Sequence, residues 1–596
     1  MRWARLIAGL TFALGVTGAL ARAGSVLKAW SPALAVTVLH VLLAAAFLIA
    51  FGPFFFGHLR GKRRRGAAVA GGMALLCVLA GVVASGVALV TYGQRGGLPL
   101  IHLLCSAFVV VGLLRHAGAL RPRLNFSGTA SGIKLGATLA LLLLLVMASR
   151  MAGSQGAPAA EQLPLSSIRV AGELPPYDAA SMSPESCAKC HSQVAEEWKQ
   201  SLHAVADSEI VYARVVAEFR REHGVEASNW CAGCHSPLRL ARGQLNIKVA
   251  DVDQPNVNCV TCHSIREIHR PGGELNFDMA VKPADGYGAG EALKVSDRLL
   301  LMQPGAHRER WNGSLTRGAE FCGACHRQTL PEFLTGVKGS PTLQDTYGEW
   351  QRSRFNSDDP AQRKTCQDCH MPEREGVTAL LGGGGRKHLF AGASVDVARL
   401  GGARTALQEH RRLLANTASV AVTVEGCNAQ RVELLARVTN YGAGHNLPTG
   451  VTDLREVWLE VTARDEAGRV VYQNGAVASD GTLDPKATRF GVTLVDGEGK
   501  PVRLHDIVRV RRILEDTTIR SGETRGVRYL LPLPNPSRVT VQVRLLYRAV
   551  PQDLLNHFMT SDLRFQVVEM ASASLPVEAT GPCAGPGDVA GTRPPG

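Results

Sequence analysis

Ser183-Pro-Glu-Ser-Cys187-Ala-Lys-Cys190-His191 holds the first of five copies of one pattern, and the chain is read outward from it. The other copies are Cys231-Ala-Gly-Cys234-His235, Cys259-Val-Thr-Cys262-His263, Cys322-Gly-Ala-Cys325-His326 and Cys366-Gln-Asp-Cys369-His370. C-x-x-C-H is the signature of covalent c-type haem attachment. The two thiols bond the porphyrin vinyl groups, and the adjacent imidazole becomes the proximal iron ligand. At the Cys and His frequencies of this chain, about 0.01 such motif is expected by chance. Zinc ribbons and redox C-x-x-C pairs are the competing readings, and neither requires a His directly after every second Cys. Five covalently bound haems c follow, and they take ten of the 14 cysteines. Cys77 and Cys105 lie in apolar runs. Cys427 and Cys583 are candidates for a disulfide in an oxidising compartment.

At roughly 100–200 residues per domain, 596 residues suggest three or four domains. Charge divides the chain unevenly. Residues 1–150 hold 15 Lys or Arg and no Asp or Glu, while residues 151–596 hold the other 50 basic and all 51 acidic residues. The net charge of +14 therefore belongs to the apolar quarter rather than to a basic face on a soluble domain. That excludes a nucleic-acid partner. At 46% hydrophobic residues the chain is not a disordered one either.

Uncharged runs cover Leu6–Ala21, Ser31–Gly57, Gly66–Gln94, Gly96–Leu114 and Leu135–Ser149. About 20 apolar residues span a hydrocarbon core as helix, so four or five transmembrane helices in contact with lipid are expected over residues 1–150. The first run is short, and its flanks resemble a signal peptide. Segments flanking alternate ends of these runs hold 11 basic residues against 3 in the others. The Lys/Arg excess marks the cytoplasmic side. The expected localisation is a multi-pass protein of the bacterial inner membrane, its C-terminal part in the periplasm. Haem c is attached on that same side.

Thirteen histidines remain after the five proximal ones. His203 lies in Glu-Glu-Trp198-Lys-Gln-Ser-Leu-His203, an amphipathic helical stretch where Trp198 and His203 are placed to contact haem together. His307 precedes the fourth motif, His388 follows the fifth, and His445 sits in the loop Gly444-His-Asn-Leu-Pro-Thr-Gly450. Solvated or loop-surface histidines are the competing readings.

The stretch from about Pro184 to Arg548 resembles multihaem cytochromes c related to the tetrahaem cytochrome and octahaem hydroxylamine oxidoreductase of ammonia oxidisers. Trp198-Lys-Gln-Ser-Leu-His203-Ala, Asn258-Cys-Val-Thr-Cys-His263 and Phe321-Cys-Gly-Ala-Cys-His326 carry that resemblance. Cys369-His-Met-Pro372 and Gly444–Gly450 resemble elements of fused multihaem cytochromes with a β-rich C-terminal domain. The resemblance implies distal-ligand roles for His203, His307, His388 and His445. Four ligands for five irons leave one unassigned, with His223 and His269 next in line, or one iron five-coordinate. No C-x-x-C-K motif of the ammonia-forming nitrite reductase type is present, so that active site is not carried over.

Histidines recur in the apolar quarter. His40 and His58 are 18 residues apart, five helical turns, and His102 and His116 are 14 apart, so each pair shares a helical face. His40 facing His102, and His58 facing His116, would hold two haems b. Interfacial histidines are the competing reading for His58 and His116. Ionisable residues inside spans are functional candidates by default.

The expected fold class is an α-helical membrane bundle, a mostly α or irregular multihaem cytochrome c domain and a C-terminal β-sandwich, whose strands are read from short β-branched runs that include Ile507–Val510. The expected divisions are 1–150 membrane domain, 151–185 Ala/Pro/Ser-rich linker, 186–412 pentahaem domain, 413–570 β-sandwich and 571–596 disordered tail. Two functions compete. One is a pentahaem cytochrome passing electrons between the quinone pool and an extracytoplasmic redox protein. The other is an oxidoreductase acting on a small nitrogen or sulfur oxyanion at an open haem iron. A haem sensor or assembly platform is a third, remoter reading.

Overall fold

In a computed structural model, the residues described in the first 158 are parts of 9–17, 39–53, 81–86 and parts of 101–106. Beyond them the described residues are 160–171, 183–246, 257–270, 276–279, 311, 314–374, parts of 385–396, 404–428, 430–532, 538–559, 563–578 and 589–590. Two units divide the chain. The first is Met1–Pro158 with Ala284–Gly313 and Glu375–Gly385, and the second is everything else.

Within the first unit, no helix among the described residues is long and apolar enough to cross a membrane. Residues 39–53 form its longest described helical stretch, which rises about 22 Å against a hydrocarbon core of about 30 Å. The expected helical membrane bundle is thereby overturned. An uncharged run meets the hydropathy condition for a span, but no described helix has the length that condition presumes.

The second unit is mixed α/β, and its haem segment, expected as mostly α or irregular, carries a sheet of its own. Strands β1 (Ala160–Gln162), β2 (Ile168–Ala171), β3 (Ile265–His269) and β4 (Asn276–Met279) form a sheet in the order β1-β2-β4-β3. Residues 160–171, expected as linker, are its first hairpin. The sheet exists because it covers the motifs. Ile168, Phe277 and Met279 pack against Ala232, Val260 and Ala324, the middle residues of the second, third and fourth C-x-x-C-H. Small or branched apolar residues at those x positions let three short helices seat on one sheet. A small hairpin of β5 (Gln328–Thr329) and β6 (Thr342–Gln344) follows the fourth motif.

Two larger sheets share a core at the C-terminal end. One contains β7 (Ala418–Asn428), β8 (Arg431–Asn440), β14 (Thr524–Pro532) and β17 (Val589–Ala590), ordered β14-β8-β7-β17. The other runs β10 (Val470–Asn474), β9 (Glu456–Asp465), β15 (Arg538–Arg548), β16 (Val568–Glu578), with β11 (Thr488–Phe490) also on β9. Alternation decides the faces. Val457, Leu459, Val461 and Ala463 of β9 enter the common core with Val420, Val422, Val432 and Leu434 of the facing sheet.

Strands β12 (Val492–Val495) and β13 (Arg512–Asp516) pair separately. The run Ile507–Val510, read from sequence as a strand, begins with the 3-10 turn Ile507–Arg509 between them. Its apolar residues are buried against Leu330 and Leu343 instead of along a sheet. The presumed disordered tail also begins too early. Residues 571–578 continue β16 against β15, with Ala571, Ala573, Leu575 and Val577 in the core. Cys427 is held in a disulfide, and Cys583 lies outside the described residues.

Candidate functional site

Each described haem motif lies on a helix or at its end. Cys259–His263 and Cys366–His370 open with reciprocal capping boxes from Asn258 with Thr261 and from Thr365 with Asp368. A capped first turn places the two thiols and the imidazole on adjoining faces of one helical turn. Cys187, Cys190 and His191 lie in Pro184–Lys199, which departs from helical geometry at His191. Cys231, Cys234 and His235 lie in Asn229–His235, and Cys322 lies in Ala319–Gly323, just ahead of Cys325 and His326.

The motifs interlock. Thiols of different motifs lie close to one another: Cys259 to Cys187, Cys322 to Cys366, and Cys325 to Cys234. Cys262 and Cys325 are also near enough to interact electrostatically. The five motifs thus adjoin in one connected cluster, where the sulfurs become thioethers wherever haem is bound.

The histidines expected as distal ligands come from far along the chain. His203 stands opposite His326 of the fourth motif, with ring centroids 6.3 Å apart and planes at 86°. His445 stands opposite His370 of the fifth motif at 6.2 Å and 19°. Two imidazole–metal bonds of about 2 Å on opposite sides of one iron require a separation of this size. His388 lies within electrostatic reach of His263 of the third motif. His307 falls outside the described residues.

Second-sphere contacts aim these rings. His235 Nδ1 lies 2.8 Å from the Ala206 carbonyl, His370 Nδ1 2.5 Å from that of Ala391, His388 Nδ1 2.9 Å from that of Arg386, and His445 Nδ1 2.9 Å from that of Asn446. His326 Nδ1 lies 3.0 Å from the Gln344 side-chain amide. An Nδ1–H donated to a carbonyl fixes the tautomer and leaves Nε2 for iron. His203 has no such partner: Nδ1 is buried without a hydrogen bond among the described residues, and the Phe390 ring meets it edge-on at 4.4 Å. Burial lowers His203 to about 3 and His326, His388 and His445 to about 4. All four are therefore neutral, the form that binds a metal. This donor set fits covalently held haem.

Trp198 serves a different purpose from the one its sequence context suggests. Its helix ends at Lys199 and His203 sits in the 3-10 turn Leu202–Val205. The buried indole donates to the Val257 carbonyl at 2.9 Å, beside the third motif. Glu197 next to it pairs with Arg374 at 2.6 Å and accepts the backbone N–H of His388 at 2.8 Å. The first-motif helix thereby holds the segment that carries His388.

The His445 loop is anchored by Glu349. This carboxylate accepts the Asn446 N–H at 3.0 Å and the Thr449 hydroxyl at 2.5 Å. Gly442 is required where the loop begins, because a Cβ there would lie 1.9 Å from the Asn416 carbonyl oxygen. Burial pushes Glu349 up to about 7, against the hydrogen bonds that favour its charge. Asp345 raises it further and Arg352 opposes this. A folded pKa above the unfolded 4.5 means stability is greatest below pH 4.5 and falls as pH rises towards 7. Glu349→Gln is expected to remove that decline, worth at most roughly 3 kcal/mol, as read by thermal midpoints measured across this range.

In the first unit His40 and His102 meet with ring centroids 6.5 Å apart and planes at 83°. Thr17 Oγ1 lies 3.0 Å from His40 Nδ1, and Ser85 Oγ lies 3.0 Å from His102 Nδ1. The spacing matches that of His203 with His326 and of His370 with His445, with hydroxyls in place of the carbonyls at Nδ1. His58 and His116 lie outside the described residues.

One residue near the motifs was missed from sequence. His505 lies within electrostatic reach of His235 and is bound through Nδ1 to Asp453 Oδ2 at 2.9 Å. Nothing local marks it, since Asp453 is 52 residues away. His223 and His269, the reserve candidates, bind elsewhere: His223 lies 4.0 Å from Glu222, and His269 lies 3.0 Å from Asp278.

Comparison with known proteins agrees with the motif reading. Residues 186–264, spanning the first three motifs, match the family model described as cytochrome c554 and c-prime. A solved structure, the penta-heme cytochrome c552 from Thermochromatium tepidum, is 22% identical over 67% of this chain and 100% of its own, with a TM-score of 0.48. No curated protein matches the chain. The motifs and the family match support a multihaem electron-transfer cytochrome with covalently bound haem c.

Proposed function

We propose that this chain carries five haems c and moves electrons between the quinone pool and an extracytoplasmic redox protein, its haem c segment lying outside the cytoplasm. The connected cluster of attachment sites, with opposed imidazoles at 6.2 and 6.3 Å, is the observation that carries this reading. Bound haem supplies the one-electron chemistry. The chain supplies two neutral imidazoles to the fourth and fifth sites, fixes His370 and His445 through backbone carbonyls, and keeps the sites close together. Bis-histidine ligation suits electron transfer because no coordination position is left for substrate. His40 and His102 are proposed as the ligands of a haem b.

Two measurements test these assignments. Electron paramagnetic resonance of the oxidised protein should show low-spin ferric signals for the sites served by His203, His388 and His445. A high-spin signal at those sites would sink the ligand assignment. The pyridine haemochrome spectrum should show haem b beside haem c, with the b signal lost in His40→Ala and His102→Ala. An extract containing haem c alone would remove the haem b proposal.

A second reading is favoured by one observation. His235 has no imidazole standing opposite it among the described residues; its ring contact is the Tyr212 phenol, stacked at 3.9 Å and 6°. On this reading the second haem is five-coordinate and acts on a small nitrogen or sulfur compound. A high-spin ferric signal that shifts on adding nitrite or hydroxylamine is its signature.

A further inference from the structure

One turn of the chain serves two haem sites. His203, in the 3-10 turn Leu202–Val205, stands opposite His326 of the fourth motif at 6.3 Å. Three residues on, the Ala206 carbonyl accepts from Nδ1 of His235, the histidine of the second motif, at 2.8 Å. The helix Ile210–His223 follows at once. Its first turn is capped by the Glu209 carboxylate, which accepts the N–H groups of Val211 and Tyr212 at 3.1 and 3.0 Å. That cap fixes the backbone of Tyr212, whose ring stacks on His235 at 3.9 Å and 6°. The stretch from His203 to Tyr212 thus faces the fourth site with one end and grips the ligand of the second with the other.

A buried ion pair sets this stretch in place. Asp207, next to Ala206 in the chain, lies 3.1 Å from Arg239, and both side chains are 3% exposed. Arg239 stands in the helix Pro237–Ala241, four residues after His235. Its other terminal nitrogen donates to the Gln244 carbonyl at 3.2 Å. A closed ring results, from the Ala206 carbonyl to His235, along the chain to Arg239, across to Asp207 and back to Ala206. Within the turn, the N–H groups of Ser208 and Glu209 both donate to the Val205 carbonyl, at 3.0 and 2.7 Å. A shift at Asp207 is therefore carried back to His203. A buried ion pair adds little net stability over apolar residues of the same volume, yet any geometry that parts its members leaves a bare charge in the interior. Such a pair is suited to fixing a position.

We propose that Asp207 and Arg239 are positioning residues that register this turn on two haems at once, holding His203 to the iron of the fourth site and the Ala206 carbonyl to Nδ1 of His235 at the second. The inference rests on the proposed roles of His203 and His235 as iron ligands and adds what places them. The two effects differ in kind. At the fourth site the pair controls whether a second imidazole reaches the iron, which spin state reads. At the second it controls ligand basicity. An Nδ1–H held by a carbonyl makes the imidazole a stronger donor, which favours ferric iron, so loss of that bond makes reduction easier.

The test uses the whole holoprotein as wild type, His203→Ala, Asp207→Asn and the double variant Asp207→Leu, Arg239→Met. Electron paramagnetic resonance of the oxidised form reads spin states, optically followed potentiometry reads the reduction of each haem, and urea titration reads stability. His203→Ala identifies the fourth haem by the low-spin signal it loses. The double variant removes both charges, so its stability should stay close to that of wild type. Part of that same low-spin signal should nevertheless turn high-spin, and reduction of one further haem should become about fivefold more favourable, the worth of one hydrogen bond. Asp207→Asn keeps an acceptor for Arg239 and should show both changes in the same direction, but smaller. Wild-type spectra and potentials in both variants, or a change at only one of the two haems, overturn the shared positioning while His203 remains a ligand. Changes spread over all haems and appearing only in step with lost stability overturn it as well, since the pair then merely holds the fold. If His203→Ala leaves every signal low-spin, the ligand reading itself falls, and the role of the pair at the fourth site falls with it.

Discussion

His445→Ala is expected to convert one haem of the oxidised protein from low-spin to high-spin, leaving the haem content unchanged. The covalent attachment at Cys366 and Cys369 and the proximal His370 are untouched by this substitution, so the group stays bound. What is lost is the ring standing 6.2 Å from His370. No other histidine stands opposite His370 among the described residues. His410, within electrostatic reach of His370, keeps Nδ1 within 2.8 and 3.0 Å of the Gly392 backbone. His445→Met should instead remain low-spin and raise the potential of that haem, since thioether for imidazole favours the reduced state. The expected rise is on the order of 100 mV, a fraction of the roughly 0.8 V that axial ligands command. Potentiometric titration followed optically would read it. If His445→Ala leaves every signal low-spin, the fifth site has another distal ligand and the opposed-ring criterion fails.

The haem sites were far more legible than the architecture around them, and the reason is range. A C-x-x-C-H motif is chemistry confined to five consecutive residues, and sequence displays it directly. Pairing is not local: His203 and His326 meet from stretches far apart in the chain, and nothing in either stretch announces it. His203 and His445 stood out through their surroundings, yet the irons they serve needed coordinates. His505 had neither motif nor helical face, and its two marks, the left-handed backbone and the Asp453 bond, are tertiary. Apolar runs misled in both directions. Those in the first 150 residues satisfied a length rule for spans that no described helix meets. Ile507–Val510 looked like a strand because its residues are buried, whereas they are buried by a turn packed on Leu330.

Arg548→Met is expected to destabilise the β-rich end of the chain by about 3–5 kcal/mol, the cost of leaving one charge of a buried pair alone. Strand alternation puts Glu456, Trp458 and Glu460 on the face of β9 away from the common core. Register places Arg548, Leu546 and Arg544 of β15 directly opposite them. Arg548 is 1% exposed, donates Nε to Glu456 at 2.7 Å and Nη1 to the Gly481 carbonyl at 2.6 Å, and lies 5.9 Å from the Trp458 ring. Methionine fills much of that space but leaves the Glu456 carboxylate buried, with the partly exposed Arg489 3.6 Å away as its remaining partner. The double variant Glu456→Leu, Arg548→Met removes both charges and should recover most of the loss, because replacing a whole buried pair by apolar residues is often neutral. Urea titrations of the holoprotein followed by circular dichroism give both values. The more exposed Arg544–Glu460 pair on the same strands provides the contrast: its arginine is 36% exposed, and Arg544→Met should cost well under half as much. Glu456 opens β9 one residue after Arg455, which bonds the Ala549 carbonyl at 2.9 Å. The strand pair therefore tethers the connection carrying His445 and Asp453. In Arg548→Met the low-spin signal assigned to His445 should disappear at the same urea concentration as the β-sheet signal. Loss of sheet with His445 still ligated would show that Glu349 and Thr449 hold the loop without the strands.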